Sequence, residues 1–234
     1  MSDADDANAG GGESGPAGRG SPGRFITFEG PEGAGKTTVM RVVAQRLRDG
    51  GRAVVETREP GGTRAGERVR AVLLDQDSGG LQPIAEALLF GAARAELVAQ
   101  IIRPALANGC VVLCDRYTDS TLAYQGNGRG LDLDALRAMN AFATGGLEPD
   151  RTFLLDVDVQ EGLRRRHAEG GAITRLDAES VAFHERVAVG YRALAAAEPE
   201  RWRVVDASAA VEAVVEAVWA AIEAAAVGVR LKRG

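Results

Sequence analysis

One stretch of the chain combines glycines, a lysine and threonines in a spacing that suits the binding of a nucleoside triphosphate. The stretch is Gly30, Pro31, Glu32, Gly33, Ala34, Gly35, Lys36, Thr37 and Thr38. Glycines let backbone N–H groups turn inward toward phosphate oxygens, and a helix that follows adds partial positive charge at its N-terminus. We therefore expect Lys36 to span the β- and γ-phosphates and the Thr37 hydroxyl to ligate Mg²⁺.

The loop pattern is specific where a strand precedes it and a helix follows it. FITFE at residues 25–29 has the composition of a buried strand, and TTVMRVVAQRL has that of a helix. A second apolar run, VVLCD, ends at Asp115, and strand tips of this kind are where parallel sheets bind ligands. The sequence thus predicts a phosphate-binding loop (P-loop) with an acidic partner on another strand.

Short apolar β-type runs alternate with helical patterns along the chain, which predicts an α/β fold with a mostly parallel sheet between two helical layers. The predicted strands are residues 25–29, 53–57, 110–115, 152–156 and 203–206. The predicted helices are residues 37–48, 65–74, 84–100, 133–143, 180–197 and 209–225. We expect a three-layer α/β/α domain with a five-stranded parallel sheet.

The chain predicts one folded domain with a tail at each end. Residues 1–23 are rich in Gly, Ala, Ser and Asp without apolar periodicity, and they predict a disordered tail. The domain is expected at residues 24–228, with a short tail at 229–234. Residues 160–177 are basic and are interrupted by a Gly pair. This composition is typical of a small mobile lid, which we expect here.

Composition excludes several classes of function. The net charge of −5 argues against a general affinity for nucleic acid, because such binding needs basic surface. No apolar run is long enough to span a bilayer, and the N-terminus has no secretory pattern, so we expect a cytoplasmic location. Cys110 and Cys114 share one face of a predicted strand and are expected in the core, with no zinc site.

The P-loop alone is shared by kinases, GTPases and motor ATPases. The guanine-reading pattern Asn-Lys-x-Asp of a GTPase is absent, because no lysine lies between Lys36 and Lys232. A D-x-x-G match at residues 77–80 lies in a Gly-rich stretch that has no strand before it. A motor ATPase would normally carry a longer chain. The small size and the arginine-bearing lid favour a kinase.

Arginine positions indicate the kind of acceptor. A nucleoside monophosphate is already largely ionised at neutral pH, with a second phosphate pKa of about 6, and it needs no general base. It needs cations that bring two anions together. The candidates near predicted strand ends and in the lid are Arg58, Arg94, Arg116, Arg164, Arg165, Arg166 and Arg175.

Four segments together resemble the bacterial thymidylate kinases, which are P-loop NTPase-type nucleoside monophosphate kinases. They are FEGPEGAGKTT (28–38), TREPGGT (57–63), LLFGAAR (88–94) and DRYTDSTLAYQGNGRG (115–130). The resemblance extends over about residues 25–225. It implies phosphorylation of dTMP to dTDP with ATP and Mg²⁺; another small P-loop nucleotide or deoxynucleoside kinase is the alternative, and a nucleotide-binding regulator without turnover is a third.

The resemblance also implies roles for individual residues. Glu32 would reach the 3′-hydroxyl of the acceptor, Phe90 would stack on thymine and Arg94 would hydrogen-bond the base edge. Asp115 would face Mg²⁺ and its waters, and Arg116 would face the acceptor phosphate. Further residues would line the base and sugar pocket, with Tyr124 crowding a ribose 2′-hydroxyl: Arg58, Pro60, Ser120, Thr121, Tyr124 and Gln125.

The P-loop has Gly33 and Ala34 where one subgroup of the family has an arginine. In the family, such loops are paired with a catalytic arginine in the lid. Arg175 matches that role best and Arg165 is next, while His167 falls near a position where relatives often have arginine. Family members are homodimers through helices that flank the acceptor site, which predicts a homodimer here.

Overall fold

The computed structural model describes residues 23–76, 80–168, 170 and 173–231, with side chains as far as residue 224. Five strands form one sheet: β1 Arg24–Glu29, β2 Val54–Arg58, β3 Val111–Asp115, β4 Arg151–Asp156 and β5 Trp202–Asp206. All four neighbouring pairs are parallel, in the order β2-β3-β1-β4-β5. The carboxyl ends of β1 and β3 therefore lie side by side at one edge.

The helices cover both faces of this sheet. They are α1 Lys36–Asp49, α2 Arg64–Leu74, α3 Pro83–Leu97, α4 Arg103–Ala107, α5 Thr118–Thr121, α6 Leu133–Thr144, α7 Val159–Ala168, α8 Val181–Ala197 and α9 Val211–Leu231. Two π-helical segments, Val98–Ile102 and Leu122–Gly128, join α3 to α4 and continue α5. None of these helices, within the described residues, has the length and hydropathy that a bilayer crossing requires.

Alternate residues of each strand enter two different cores, which is why the strands are apolar throughout. Phe28 and Leu113 pack with α1 and α9 on one face. Val112 and Cys114 pack on the other face, where Cys110 lies against the same cluster, as the spacing of the two cysteines predicts. Both cysteines are free thiols. The predicted three-layer α/β/α fold with five parallel strands is confirmed.

The helices differ from prediction in several places, and α7 lies in a segment where no helix was predicted. The helix predicted at 84–100 continues through the π-helical turn into α4, and Pro104 follows that turn directly. The helical segment from Thr118 to Gly128 was not predicted, because its Thr, Ser, Asn and Gly residues are weak helix formers. Tertiary contacts with α8 hold it instead.

The predicted tails and lid are only partly within the described residues. Residues 1–22, 77–79, 169, 171–172 and 232–234 lie outside them, which includes most of the N-terminal tail and of the D-x-x-G match. The lid segment, residues 160–177, begins inside α7 and ends in a turn that reaches Asp177. Helix α9 continues to Leu231, so the first residues of the predicted C-terminal tail extend the helix.

Candidate active site

A cavity of about 450 Å³ opens at the carboxyl ends of β1 and β3. Most of the residues that the sequence predicts for the site line it. These are Glu32, Gly33, Gly35, Lys36, Thr37, Thr38, Arg58, Pro60, Phe90, Asp115, Arg116, Ser120, Thr121, Tyr124 and Gln125. Gly30, Pro31 and Ala34 belong to the same loop behind the cavity wall. Arg94, Arg165 and Arg175 lie outside the wall.

The P-loop follows β1 directly and leads into α1. Its glycines are required by geometry at two positions. Gly30 has φ +143°, and a Cβ there would lie 2.4 Å from the Leu155 carbonyl oxygen. Gly33 has φ +67°, and a Cβ there would lie 1.9 Å from the carbonyl oxygen of Gly162 in α7. The loop is thus packed against both the sheet and the first turns of the lid segment.

Lys36 and Thr37 are the first two residues of α1. The Lys36 ammonium donates to the carbonyl oxygens of Gly30 at 3.1 Å and Pro31 at 2.8 Å. Burial and the nearby Arg116 charge lower the pKa of Lys36 to about 8, although Glu32 and Asp115 oppose the shift. The Thr37 hydroxyl donates to Asp115 Oδ2. The predicted pair of oxygen ligands is therefore assembled.

Arg116 is held in a left-handed backbone conformation, with φ 72°. Its guanidinium donates to Glu32 at 2.9 Å, to the Gly30 carbonyl at 3.0 Å and to the Tyr191 hydroxyl at 3.0 Å. It also lies 5.0 Å from the centre of the Tyr124 ring. This network brings one arginine beside both the P-loop and the side of the cavity where the sequence predicts the acceptor.

Glu32 is the carboxylate of the P-loop, and its charge is stabilised by its partners. It accepts from Arg116 and, at 2.7 Å, from the Tyr124 hydroxyl. Burial would raise the pKa of Glu32, but Arg116, Lys36 and the Tyr124 hydrogen bond outweigh it and lower the pKa to about 2. Glu32 is therefore an ionised carboxylate at neutral pH, which can accept a hydrogen bond from a hydroxyl group.

Glu29, the last residue of β1, supports the site residues and was missed by sequence reasoning. This fully buried carboxyl accepts from the Tyr117 N–H at 2.7 Å, the Ser120 hydroxyl at 2.6 Å and the Tyr191 hydroxyl at 2.9 Å. Burial and the charge of Asp119 raise its pKa to about 7. An acid ending an otherwise apolar strand is the signal that marks it in the sequence.

We predict that Glu29→Gln changes the pH dependence of stability. The pKa of Glu29 is about 7 in the folded protein against an ordinary value of 4.5, so the folded state binds the proton more tightly. The contribution of Glu29 to the free energy of unfolding is therefore lost as pH rises from about 4.5 to about 7, with an upper limit on the order of 3 kcal/mol. Glutamine mimics the protonated carboxyl and should remove that loss. Urea unfolding at several pH values measures it.

The control for this prediction is Glu216→Gln, an exposed acid paired with Arg46. It should leave the pH profile between 4.5 and 7 close to that of the parent chain, because exposed ion pairs contribute little. If the Glu29→Gln profile stays parallel to the parent's, Glu29 does not titrate in this range.

The part of the cavity wall that the sequence predicts to face the acceptor combines apolar and polar groups. Phe90 is half-buried on α3, and Pro60 is buried at the opposite wall. Thr121, Tyr124 and Gln125 are buried on the α5 and π-helical segment, where Ser120 is half-buried. Arg58 is exposed and pairs with Glu67 at 3.0 Å.

Arg94 is only 1% exposed and is bound to protein groups on all three nitrogens. Its Nε donates to Glu59 at 2.8 Å and its Nη1 to Asn140 at 2.6 Å. Its Nη2 donates to the Tyr117 carbonyl at 3.1 Å and the Thr121 hydroxyl at 3.0 Å. The structure thus places Arg94 behind the pocket wall; contact with a base edge stays a prediction.

The lid arginines point in three directions. Arg175 donates to Glu86 at 2.6 Å and to the Leu73 carbonyl. Arg165 donates to the carbonyls of Ala207 and Ser208 after β5. The structure therefore does not bring either of the two predicted lid arginines into the cavity, which Arg166 lines instead.

Sequence reasoning missed two cavity arginines, Arg41 and Arg70, and placed Arg166 among the candidates but behind Arg175 and Arg165. Arg166 in α7 pairs with Asp177 at 2.9 Å, which ties the two ends of the lid segment together. Arg70 in α2 donates to the Pro60 carbonyl at 2.9 Å, and Arg41 lines the wall from α1. In the sequence, Arg41 and Arg70 each lie on an amphipathic helix among other charges and are indistinguishable from solvated residues.

The fold and the site together define a class. A parallel sheet carries a glycine-rich loop between its first strand and first helix, and the loop is followed by a buried lysine and by a threonine that hydrogen-bonds an aspartate of the neighbouring strand. This arrangement is that of a P-loop nucleotide-binding protein.

Comparison with known proteins narrows this class to one family. The family model described as thymidylate kinase matches residues 28–218. A thymidylate kinase of Thermomicrobium roseum is 59% identical over 85% of this chain and 93% of its own length. One of Desulfovibrio desulfuricans is 55% identical over 86% and 95%. The chain belongs to the thymidylate kinase family.

A solved structure agrees with this assignment. The crystal structure of a thymidylate kinase from Ehrlichia chaffeensis is 38% identical, with a TM-score of 0.65. The match covers 79% of this chain and 93% of the other. The resemblance that the four sequence segments carry is therefore confirmed.

Proposed function

We propose that this protein transfers the γ-phosphoryl group of ATP to dTMP, giving ADP and dTDP. Membership of the thymidylate kinase family supports the reaction. One observation of the structure carries it further: a single cavity joins the P-loop residues Lys36 and Thr37 to the acceptor-side residues Phe90, Arg116 and Tyr124. Donor and acceptor groups thus have a shared space in which to react.

The geometry supports an in-line transfer without a general base. An oxygen of the acceptor phosphate attacks the γ-phosphorus, and the bond to the β–γ bridging oxygen breaks, leaving ADP. The P-loop amides and Lys36 stabilise the charge on the donor phosphates. Arg116, next to the loop, offsets repulsion between the two anions. Phe90 offers a face for stacking the base.

A divalent ion fits the residues beside the loop. Thr37 and Asp115 present a hydroxyl and a carboxylate in contact with each other, and oxygen donors of this kind suit Mg²⁺. We propose that these two residues hold the ion through direct or water-mediated contacts. When bound, Mg²⁺ neutralises charge on the phosphates.

A panel of monophosphates tests the function. Purified protein with ATP and Mg²⁺ should convert dTMP faster than dCMP, UMP or GMP, with ADP release as the readout. Better turnover of another monophosphate, or of a deoxynucleoside, would identify a different small P-loop kinase. ATP binding without ADP release on any acceptor would indicate a nucleotide-binding regulator.

We propose Arg166 as the lid arginine that acts in the transition state, because its side chain lines the cavity while Arg165 and Arg175 contact other groups. Arg166→Ala should lower kcat about 10²-fold with a smaller change in the KM for dTMP. Arg165→Ala and Arg175→Ala, the two candidates from the sequence, are the matched comparisons in steady-state kinetics. A larger kcat loss in Arg175→Ala would assign the role to that residue.

We also propose a homodimer, which the family resemblance implies. Three large apolar side chains on α3 and α6 are unusually exposed: Ile84 by 65%, Leu88 by 57% and Phe142 by 91%. The two helices pack together where Met139 contacts Gly91, one turn away from Phe142 and Leu88. A second copy covering this surface would bury all three.

Phe142→Asp should therefore weaken the dimer, since a charge would be buried at its centre. Sedimentation velocity should show a dimer for the parent chain and a shift toward monomer for the variant. Val204→Asp, which changes an apolar residue that is 57% exposed on β5, is the control and should leave the mass unchanged. A parent chain that sediments as a monomer would contradict the proposal.

Three further expectations stay predictions: the domain limits 24–228, the mobility of the lid segment and a cytoplasmic location.

A further inference from the structure

Glu86 is a fully buried carboxylate on α3 that none of the steps above uses. It accepts from Gln125 Nε2 at 2.7 Å and from Arg175 Nη2 at 2.6 Å. Arg129 donates to both of its oxygens, at 3.2 Å each. Burial would raise the pKa of Glu86, but the hydrogen bonds from Arg129, Gln125 and Arg175 outweigh it and lower the pKa. Glu86 is therefore ionised at neutral pH.

An ionised carboxylate can only accept hydrogen bonds, and this limits its neighbour. Gln125 has to turn its NH₂ group toward Glu86, so its carbonyl oxygen is directed elsewhere. A reversed amide would place two acceptor oxygens against each other in a buried site, which is costly. Gln125 is itself 1% exposed and lines the cavity. The amide orientation at this wall is therefore set by Glu86.

The orientation of the Gln125 amide determines which hydrogen bonds it can offer to the base of the acceptor. Phe90 lies one helical turn after Glu86 on α3 and lines the same cavity. Thymine and uracil present an N–H at N3 and a carbonyl at C4, whereas cytosine presents an acceptor at N3 and an amino group at C4. An amide with its remaining N–H and its carbonyl in one fixed order complements the first pattern and mismatches the second.

We propose that Glu86 is a positioning residue which fixes the amide of Gln125 and thereby makes the acceptor site select a 4-oxo pyrimidine over a 4-amino pyrimidine. This inference rests on the proposed function, because it assigns the selectivity of the same acceptor site. Glu86 acts through Gln125 and does not itself contact the substrate.

The test compares kcat/KM for dTMP, dUMP and dCMP in the parent chain, Glu86→Gln and Glu179→Gln. A neutral glutamine at position 86 can donate as well as accept, so both orientations of Gln125 become available. The dTMP to dCMP ratio should fall about tenfold in Glu86→Gln. The dTMP to dUMP ratio should stay constant, because those two bases share the N3 and C4 pattern.

Glu179→Gln is the matched control because Glu179 pairs with the same Arg129, at 2.6 Å, whereas the Gln125 amide donates to Glu86. It should preserve both ratios. A parallel loss for all three substrates in Glu86→Gln, or an unchanged dTMP to dCMP ratio, would overturn the proposal. A parent chain without turnover of dTMP would instead contradict the proposed function.

A second variant keeps the test decisive if Glu86→Gln does not fold. Gln125→Met removes the amide and leaves the Glu86 carboxylate with its two arginines. It should lose the same discrimination between dTMP and dCMP. If Gln125→Met keeps the parent's ratio, the amide does not select the base and the proposal fails.

Discussion

Lys36→Ala should lower kcat by about 10²–10³-fold, the loss that typically follows removal of one preorganised donor of charge stabilisation. Lys36 begins α1 within the P-loop, is buried, and lies beside Glu32 and Asp115. No other lysine falls within the residues that the structure describes, so none of them offers a second ammonium in its place. Single-turnover kinetics with saturating ATP separates this loss from weaker nucleotide binding.

The pKa of Lys36 adds a pH dependence to this prediction. Burial and Arg116 lower the pKa to about 8, so the ammonium would lose its proton as pH rises through that value. Bound phosphates would favour the charged form and move the apparent pKa upward. We therefore expect kcat/KM, which reports the free enzyme, to fall at a lower alkaline pH than kcat, which reports the enzyme with its substrates bound.

Arg46→Ala is the control for Lys36→Ala. Arg46 is a cation on the same helix, exposed and paired with Glu216 at 2.5 Å. Its removal should leave kcat within about twofold of the parent, because an exposed ion pair contributes little. A Lys36→Ala protein that is folded and retains near-normal kcat would mean that the P-loop does not carry out phosphoryl transfer.

The strands and the P-loop could be predicted because their signals are local. Each strand is a short apolar run, and the glycine, lysine and threonine spacing is informative by itself. The order of the strands in the sheet, by contrast, depends on contacts between distant residues. The segment from Thr118 to Gly128 shows the same limit, since its helical form comes from packing on α8 and its composition opposes it.

The site shows where local information ends. The spacing of Phe90 and Arg94 predicts that they share a helix face, but burial of Arg94 depends on Glu59 and Asn140 from other elements. Three successive arginines, 164–166, are alike in sequence, yet a helix turns each by about 100° from the last. Only the packing of α7 against the loop decides that Arg166 lines the cavity.

Buried carboxylates are the site residues that are hardest to predict from the sequence. Glu29 and Glu86 occur in apolar stretches, and the sequence alone does not say which donors will surround them. Their partners come from the 117–129 segment and from α8 and the lid segment, far away in the chain. A carboxylate can be buried in the folded protein only when hydrogen bonds compensate for its lost hydration.

Arg94→Met should destabilise the folded protein by about 3–5 kcal/mol, the cost that follows when one partner of a buried ion pair is removed. The variant leaves Glu59 buried without its cation, and Glu59 Oε1 already has no hydrogen-bond partner among the described residues. Asn140, Thr121 and the Tyr117 carbonyl each lose a donor as well. Urea unfolding without nucleotide measures the change in the free energy of unfolding.

The same variant should become more sensitive to alkaline pH. Burial already raises the pKa of Glu59 against the opposing effect of Arg94, so loss of Arg94 should raise it further. A raised carboxyl pKa means that the folded state binds the proton more tightly, and stability is lost as pH rises above the unfolded value. Glu59→Gln combined with Arg94→Met removes the charge and should recover part of the stability at pH 8.

This double variant also separates the two roles that Arg94 could have. If the arginine acts through the wall of the pocket, Arg94→Met alone loses stability and the added Glu59→Gln restores some of it, together with dTMP affinity. If Arg94 contacts the base edge, as the family resemblance implies, the single variant keeps most of its stability and loses dTMP affinity, which Glu59→Gln does not restore. Because all three nitrogens of Arg94 already bind protein groups, we expect the first result.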